Sequence, residues 1–360
     1  MLNFSHDMKA KAALMTWDQW SQLHSHEKVP YLSKDGRIYD VLFSQQFNRD
    51  LLDRLYVVTN KVRLVSKTRE GAAWLQSLLR TKKAMLYFIQ PSTRTFLSFW
   101  SACATLGMQV VDVRSTETSS EMKGESADDT LRTFASYFDL LITRHPEKGY
   151  AERASFILGR TRRPVPVINA GSGKDQHPTQ ALLDIFSLRR SFENSGGLAD
   201  KTVMMVGDLK RGRTVRSLVY LLANFPGIRF LFVSPPAFRM EGDIKDFLTR
   251  RHLHWEETDR FEEALTQADA LYMTRLQNEY DVDGESQSYD VNQYTLRVPH
   301  LKTMKAGSVI LHPLPRRSEI EEAVDQDPRA VYWRQVRNGM WTRVALSAHL
   351  LKVDQAIIDR

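Results

Sequence analysis

AMLYFIQPSTRTFLSFWSACATLG, residues 84–107, decides the fold class. The apolar run 84–89 is too short for a core helix and stops just before a proline, so it reads as a buried strand. PSTRT follows as a polar turn. FLSFWSACATLG then reads as a helix ended by Gly107. MQVVDV, residues 108–113, reads as a second strand. Strand, turn, helix and strand in that order make a parallel βαβ unit.

The alternation continues outward. The sequence predicts a helix over 128–141, a strand over 140–143, and a strand in PVPVINA, 164–170. The loop GSGKDQ comes next, and then the helix PTQALLDIFSLRRSF opens at Pro178, where proline is well tolerated. After SGGLAD, 195–200, the theme restarts with the strand KTVMMVGD and the helix TVRSLVYLLANF. A strand at 229–233, the helix FEEALTQA, a strand ending ADALYMTR at 275 and a strand in GSVILHPLP follow. An amphipathic helix, TRVALSAHLLKVDQAII, closes the chain. The expected fold is α/β with two doubly wound parallel sheets, the helix at 178–192 crossing between them.

Composition narrows the function. With 360 residues, about two domains are expected. A 42% hydrophobic and 26% charged chain is an ordinary globular one. No apolar run approaches the ~18 residues of a membrane helix. The single cysteine, Cys103, forms no internal disulfide, and no metal-ligand cluster at zinc spacing is present. The N-terminal stretch MLNFSHDMKAKAALMTWDQW has no long apolar core and carries Asp7 and Asp18, so a cytoplasmic protein is expected, with this segment packing on the first domain. The net charge of +7 fits a nucleic-acid binder or an enzyme for anionic substrates. No aromatic-interleaved basic stripe supports the first.

Ligands of open parallel sheets bind beyond the carboxyl ends of the strands, and here those ends carry anion-binding chemistry. Ser92, Thr93, Arg94 and Thr95 follow the first strand, and Arg144 and His145 follow LLIT. Gln176, His177 and Gln180 follow PVINA; Lys210 and Arg213 follow TVMMVGD. Arg275 and Gln277 follow ALYMT, and His312-Pro-Leu-Pro-Arg316 follows SVIL. A helix N-terminus at STRT favours phosphate, and Ser92 or Thr93 can cap it. Arg94 adds a planar donor fork. Each feature has a plainer reading. STRT can be a simple capped helix start, His177 a buried capping residue, and Arg211 and Arg216 a solvated helix face. Arg275 needs either a bound carboxylate or an internal ion pair. HPLP reads as a rigid extended turn whose carbonyls can accept from an amide.

Taken in order, FIQPSTRT, SSEMKGES, TRHPEKG, NAGSGKDQHPTQALLD, VGDLKRGRTVRSL, LYMTRLQNE and HPLPRRSEI resemble the aspartate/ornithine carbamoyltransferase family. HPTQ and HPLP resemble its aspartate-using branch; ornithine-using members carry HPCQ and HCLP. The resemblance implies transfer of the carbamoyl group of carbamoyl phosphate to the amine of L-aspartate, in pyrimidine biosynthesis, without metal or cofactor. It implies an N-terminal extension (1–40), a carbamoyl-phosphate domain (41–178 with 337–360) and an aspartate domain (179–336), with the active site in the cleft between the domains. Ser92, Thr93, Arg94 and Thr95 would hold the phosphate. Arg144 and His177 would donate to the carbamoyl oxygen, and Gln180 with the carbonyls of Leu314 and Pro315 would hold its amine. Arg213 and Arg275 would bind the two aspartate carboxylates, with Gln277 nearby. Ser119 and Lys123 would reach into a neighbouring subunit's site, which implies a homotrimer and leaves room for regulatory or other enzyme subunits. No nucleic acid and no membrane is implied as a partner. Three positions depart from the family pattern. Gln90 stands where Glu is common, Met122 where a second Lys is frequent, and Tyr280 where a basic residue is often seen. Another amino-acid acceptor, or a non-catalytic anion binder, is the alternative.

Overall fold

The computed structural model describes residues 15–115, 124–172, 176–275 and 290–360. These fall into two compact units. The first comprises the described residues up to Thr179 together with Gly339–Arg360; the second is Gln180–Asn338.

The first unit is built on four parallel strands, β1 (Lys83–Phe88), β2 (Gln109–Val113), β3 (Leu140–Arg144) and β4 (Val167–Asn169), in the order β2-β1-β3-β4. The central strands are buried almost throughout, as parallel strands covered on both faces must be. The second unit is built on five parallel strands, β5 (Thr202–Val206), β6 (Arg229–Val233), β7 (His254–Thr258), β8 (Ala270–Met273) and β9 (Val309–Leu311), in the order β9-β8-β5-β6-β7. Each order reverses direction once, between β1 and β3 in the first sheet and between β5 and β8 in the second. At such a switch point the loops leaving adjacent strands diverge to opposite faces and open a crevice.

Five helices position the site. They are α1 (Thr93–Thr105), α2 (Tyr150–Leu158), α3 (Pro178–Ser191), α4 (Arg213–Leu222) and α5 (Tyr332–Leu350). Cys103, on the inner side of α1, is fully enclosed, and burial pushes its thiol up to about 12. No helix among the described residues is long and apolar enough to cross a membrane.

Two elements differ from the sequence reading. Strand β7, HWEET, is absent from it, because an edge strand with polar residues shows no apolar run. The closing amphipathic helix is two helices. α5 ends at Leu350, Lys352 turns left-handed at φ 62°, and a short helix resumes at Asp354. The break brings the Asp354 carboxylate against His349 Nδ1 (2.7 Å), Arg54 Nε (2.6 Å) and Arg37 Nη2 (2.7 Å). Burial opposes its ionisation, but these three donors hold the carboxyl well below the usual carboxylate range. The tail of α5, from Trp341 on, is buried on every side rather than on one face.

The described residues before Asp40, from Met15 on, pack against the first unit's core. Trp20 and Leu32 are buried in the apolar cluster of Tyr87, Leu141 and Ile157, and Trp17 packs edge-on against Phe156 at 5.4 Å. Lys28, buried, meets Glu152 of α2 at 2.5 Å. Asp40 then anchors the sheet edge. Its Oδ1 accepts from Val167 N at 2.7 Å and its Oδ2 from Ser155 Oγ at 2.8 Å, beside the bridge from Val41 to Ile168.

Burial pushes the Asp40 carboxyl up to about 7 from 3.8, against the pull of the Val167 and Ser155 bonds. The folded state therefore keeps a proton that the unfolded chain releases, and stability attributable to Asp40 falls as pH rises from about 4 to about 7. Asp40→Asn, whose amide can still accept from Val167 and donate to Ser155, removes this dependence. Urea midpoints measured at about pH 5 and about pH 7.5 should show the variant gaining on the wild type as pH rises; a constant difference refutes this.

Candidate active site

In the first unit the switch-point crevice lies between the strands that end at Phe88 and Arg144, which are register partners. The chain leaving β1 stays tied to β3 through Gln90 N donating to Arg144 O at 3.0 Å. It then turns into α1, whose N-cap is Ser92. Ser92 is extended (φ −163°) and its side chain makes no capping bond, contrary to the expected cap. Thr95 is buried, while Arg94 is exposed in the first helical turn. A helix start has N–H groups without intrahelical acceptors and a positive dipole end, so hydroxyls and a guanidinium placed there form an oxyanion-binding set.

Arg144 is buried and donates through Nη1 to Ala170 O at 3.0 Å. The loop after β4 brings His177 to the same place. Gly171 adopts φ 99°, a conformation that glycine tolerates best. A Cβ there would lie 2.7 Å from Arg144 Nη1 and 2.9 Å from His177 Cδ2. The two side chains thus pack against a single glycine. Asn169 shapes this loop, its Oδ1 accepting from Gly171 N (2.8 Å) and Ser172 N (3.0 Å).

Behind His177, Nδ1 lies 3.4 Å from Thr179 Oγ1, and Arg343 Nη2 lies 3.5 Å from that oxygen. Arg343 is buried, donates to Ser98 Oγ at 2.8 Å and sits over the Phe99 ring. Since Arg343 can only donate, Thr179 accepts from it, and the same oxygen lies within reach of His177 Nδ1. His145 is stacked on Tyr150 at 3.9 Å, and burial holds its pKa below the ordinary histidine value against the opposing charge of Glu147.

The second unit has a comparable strand-end cluster. Gly207, just past β5 at φ 112°, lets the chain touch β8; a Cβ there would lie 2.3 Å from Thr274 O. The following turn is pinned by fully buried Asp208, which accepts from Arg211 N at 3.0 Å, and Arg213 opens α4. Arg275 lies two residues beyond β8. After β9, His312 Nδ1 accepts from Leu314 N at 2.7 Å, and its Nε2 faces Glu319 Oε1 at 2.7 Å. Burial resists charge on Glu319, yet the His312 bond keeps its carboxyl below the ordinary value. HPLP is not an extended turn. Leu314 is left-handed at φ 55°, pinned by His312. Arg216 is no solvated face either, since it pairs with Glu241 at 2.9 Å and with Asp243.

The first unit therefore gathers Ser92, Thr93, Arg94, Thr95, Arg144 and His177 at one end of its sheet, and the second gathers Arg213, Arg275, Leu314 and Pro315. Gln180, in the first turn of α3, opens the second unit. Ser119, Lys123 and Gln277 lie outside the described residues, as do Met122 and Tyr280.

Two family models match: the carbamoyl-phosphate-binding domain of aspartate/ornithine carbamoyltransferase over residues 40–190, and its aspartate/ornithine-binding domain over residues 199–350. The chain belongs to the aspartate/ornithine carbamoyltransferase family. It is 40% identical to aspartate carbamoyltransferase 1, chloroplastic, of Pisum sativum, over 90% of this chain and 82% of the relative. It is 39% identical to the aspartate carbamoyltransferase catalytic subunit of Clostridium novyi, over 81% of this chain and 92% of that one. Among solved structures, aspartate transcarbamoylase from Trypanosoma cruzi in complex with carbamoyl phosphate and aspartate superposes with a TM-score of 0.77 at 33% identity, covering 86% of this chain and 95% of that chain.

The sequence reading passes over Asn169, Thr179, Arg343, Asp184 and Glu319 as site-shaping residues of this carbamoyltransferase. Asn169, Thr179, Asp184 and Glu319 lie inside the motif stretches quoted above without a role of their own, and Asp184 stands out among them as a carboxylate inside the apolar run ALLDIF.

Gly171→Ala should separate Arg144 from His177. Placing a side chain at this φ costs about 1–3 kcal/mol, so the melting temperature falls by several degrees and phosphate affinity, measured by calorimetry, drops. Unchanged phosphate affinity would show that the pair does not depend on the glycine.

Proposed function

We propose that the protein is an aspartate carbamoyltransferase, forming N-carbamoyl-L-aspartate and phosphate from carbamoyl phosphate and L-aspartate. The observation that carries this is the packing of Arg144 and His177 against Gly171 at the sheet end where the hydroxyl-rich start of α1 also lies. Relatives named aspartate carbamoyltransferase, and a similar structure holding both substrates, support it.

The chemistry follows from the groups present. Carbamoyl phosphate is already activated, so a neutral amine can attack its carbon directly. A C–N bond forms, the C–O bond to phosphate breaks, and the leaving phosphate takes the proton that the amine gives up. The protein's part is to position the reactants and stabilise charge. Ser92, Thr93, Thr95 and Arg94, with the amides at the start of α1, hold the leaving phosphate. Arg144 and His177 donate to the carbamoyl oxygen as it gains negative charge. Gln180 and the carbonyls of Leu314 and Pro315 take the carbamoyl amine. Arg213 and Arg275 take the two carboxylates of the acceptor, a demand that ornithine's ammonium does not make.

The working form in this proposal is a homotrimer, with Ser119 and Lys123 serving a neighbouring subunit. Leu97 and Trp100 on α1 and Val111 on edge strand β2 are large apolar side chains, each about half exposed. They are the apolar surface a neighbouring subunit would cover in this proposal. Sedimentation at micromolar concentration should give the mass of three chains, and a monomer at assay concentration would refute it.

Purified protein with carbamoyl phosphate and aspartate should release phosphate and carbamoyl aspartate in equal amounts. Turnover only with ornithine or another amine, or none, overturns the proposal. Arg94→Ala should lower kcat/KM by about a hundredfold to a thousandfold with little change in melting temperature, because Arg94 is exposed.

A further inference from the structure

Asp184 is a fully buried carboxylate in the middle of α3, and the reaction just described has no use for it. Three donors from separate elements converge on it. Gln180 Nε2 lies 2.9 Å from Oδ1, one turn earlier on α3. Gln335 Nε2, from the first turn of α5, lies 2.6 Å from the same oxygen. The Tyr272 hydroxyl of β8 donates to Oδ2 at 2.8 Å. Burial and the Asp184 charge together hold that hydroxyl well above its ordinary value, so it stays a donor.

The second oxygen and nitrogen of these groups carry the network on. Gln335 Oε1 accepts from His312 N at 3.1 Å, and His312 in turn pins Leu314 N. The Tyr272 hydroxyl also interacts with the side chains of Thr214 and Gln180. Tyr272 precedes Arg275 by three residues, and Thr214 follows Arg213. One carboxylate therefore ties together Gln180, the HPLP turn and the strand that leads to Arg275.

The chemistry of an amide gives this tie a direction. An ionised carboxylate only accepts. Facing it, the Gln180 amide must present Nε2 and turn Oε1 to its opposite edge. A carbamoyl –NH2 needs an acceptor, so this is the productive orientation, and the reverse would set two N–H groups against each other. We propose that Asp184 is a positioning residue that locks the Gln180 amide with its oxygen toward the carbamoyl amine and, through Gln335 and His312, sets the Leu314 and Pro315 carbonyls for the same amine. This rests on the role given to Gln180 above.

Asp184→Asn keeps the shape but lets an amide nitrogen face Gln180, which can then flip. Its kcat/KM for carbamoyl phosphate should fall by about a hundredfold, the scale of a misplaced reacting group. In a Gln180→Ala background the same change should cost no more than about tenfold, because the Gln180 arm is already gone and only the arm through Gln335 and His312 remains. Equal losses in both backgrounds would overturn the proposal and leave Asp184 a structural residue. If Asp184→Asn does not fold, Tyr272→Phe frees one carboxylate oxygen and should show a smaller loss that likewise shrinks with Gln180→Ala; an additive loss counts against the proposal. A readout independent of turnover separates this idea from the assignment of the reaction. In protein labelled with 15N-glutamine, the Gln180 side-chain amide should be protected from hydrogen exchange and lose at least about tenfold of that protection in Asp184→Asn. Equal exchange in both proteins refutes the positioning role, whereas failure of wild-type turnover with protection intact refutes only the reaction.

Discussion

Parallel pairing of β1 with β3 is the constraint on which the first unit depends. It sets Phe88 opposite Arg144, so the chain leaving one strand starts a helix just where the neighbouring strand delivers a guanidinium. The hydrogen-bond ladder fixes this alignment, since a slip of one residue turns every side chain of a strand to the other face. With both faces of β1 and β3 buried, a slipped register would have to repack every side chain it displaces. The second sheet repeats the logic, with Gly207 and Thr274 in close approach where its order reverses.

Charge burial is the second theme. Arg144, Arg343, Asp184, Asp208 and Asp354 are all buried, and each has named partners. Removing one partner from such a group costs far more than the pair contributes when intact. These side chains hold their neighbours in single orientations, which catalysis by positioning needs more than it needs stability.

Much of this was legible in the sequence. The apolar runs at 84–89, 140–143 and 229–233 mark strands because parallel strands are covered on both sides. The residues at their carboxyl ends read as an anion site because arginine, histidine and hydroxyls recur there with few carboxylates. What escaped is what depends on three dimensions. Polar HWEET pairs only at a sheet edge, and the Lys352 turn interrupts a run whose composition reads as continuous helix. Thr179, Arg343 and Asp184 act through neighbours up to 164 residues away, which no local pattern reveals. Ser92 misled in the other direction, having the composition of a cap without making the bond.

Cys103 carries a practical consequence. It is the only thiol in the chain, wholly enclosed against α1's inner side and reluctant to ionise. A maleimide or disulfide reagent attacks the thiolate and needs access to it. Alkylation of this chain therefore clocks the opening of the first unit's interior, giving a built-in fluorometric gauge of local unfolding without any engineered label.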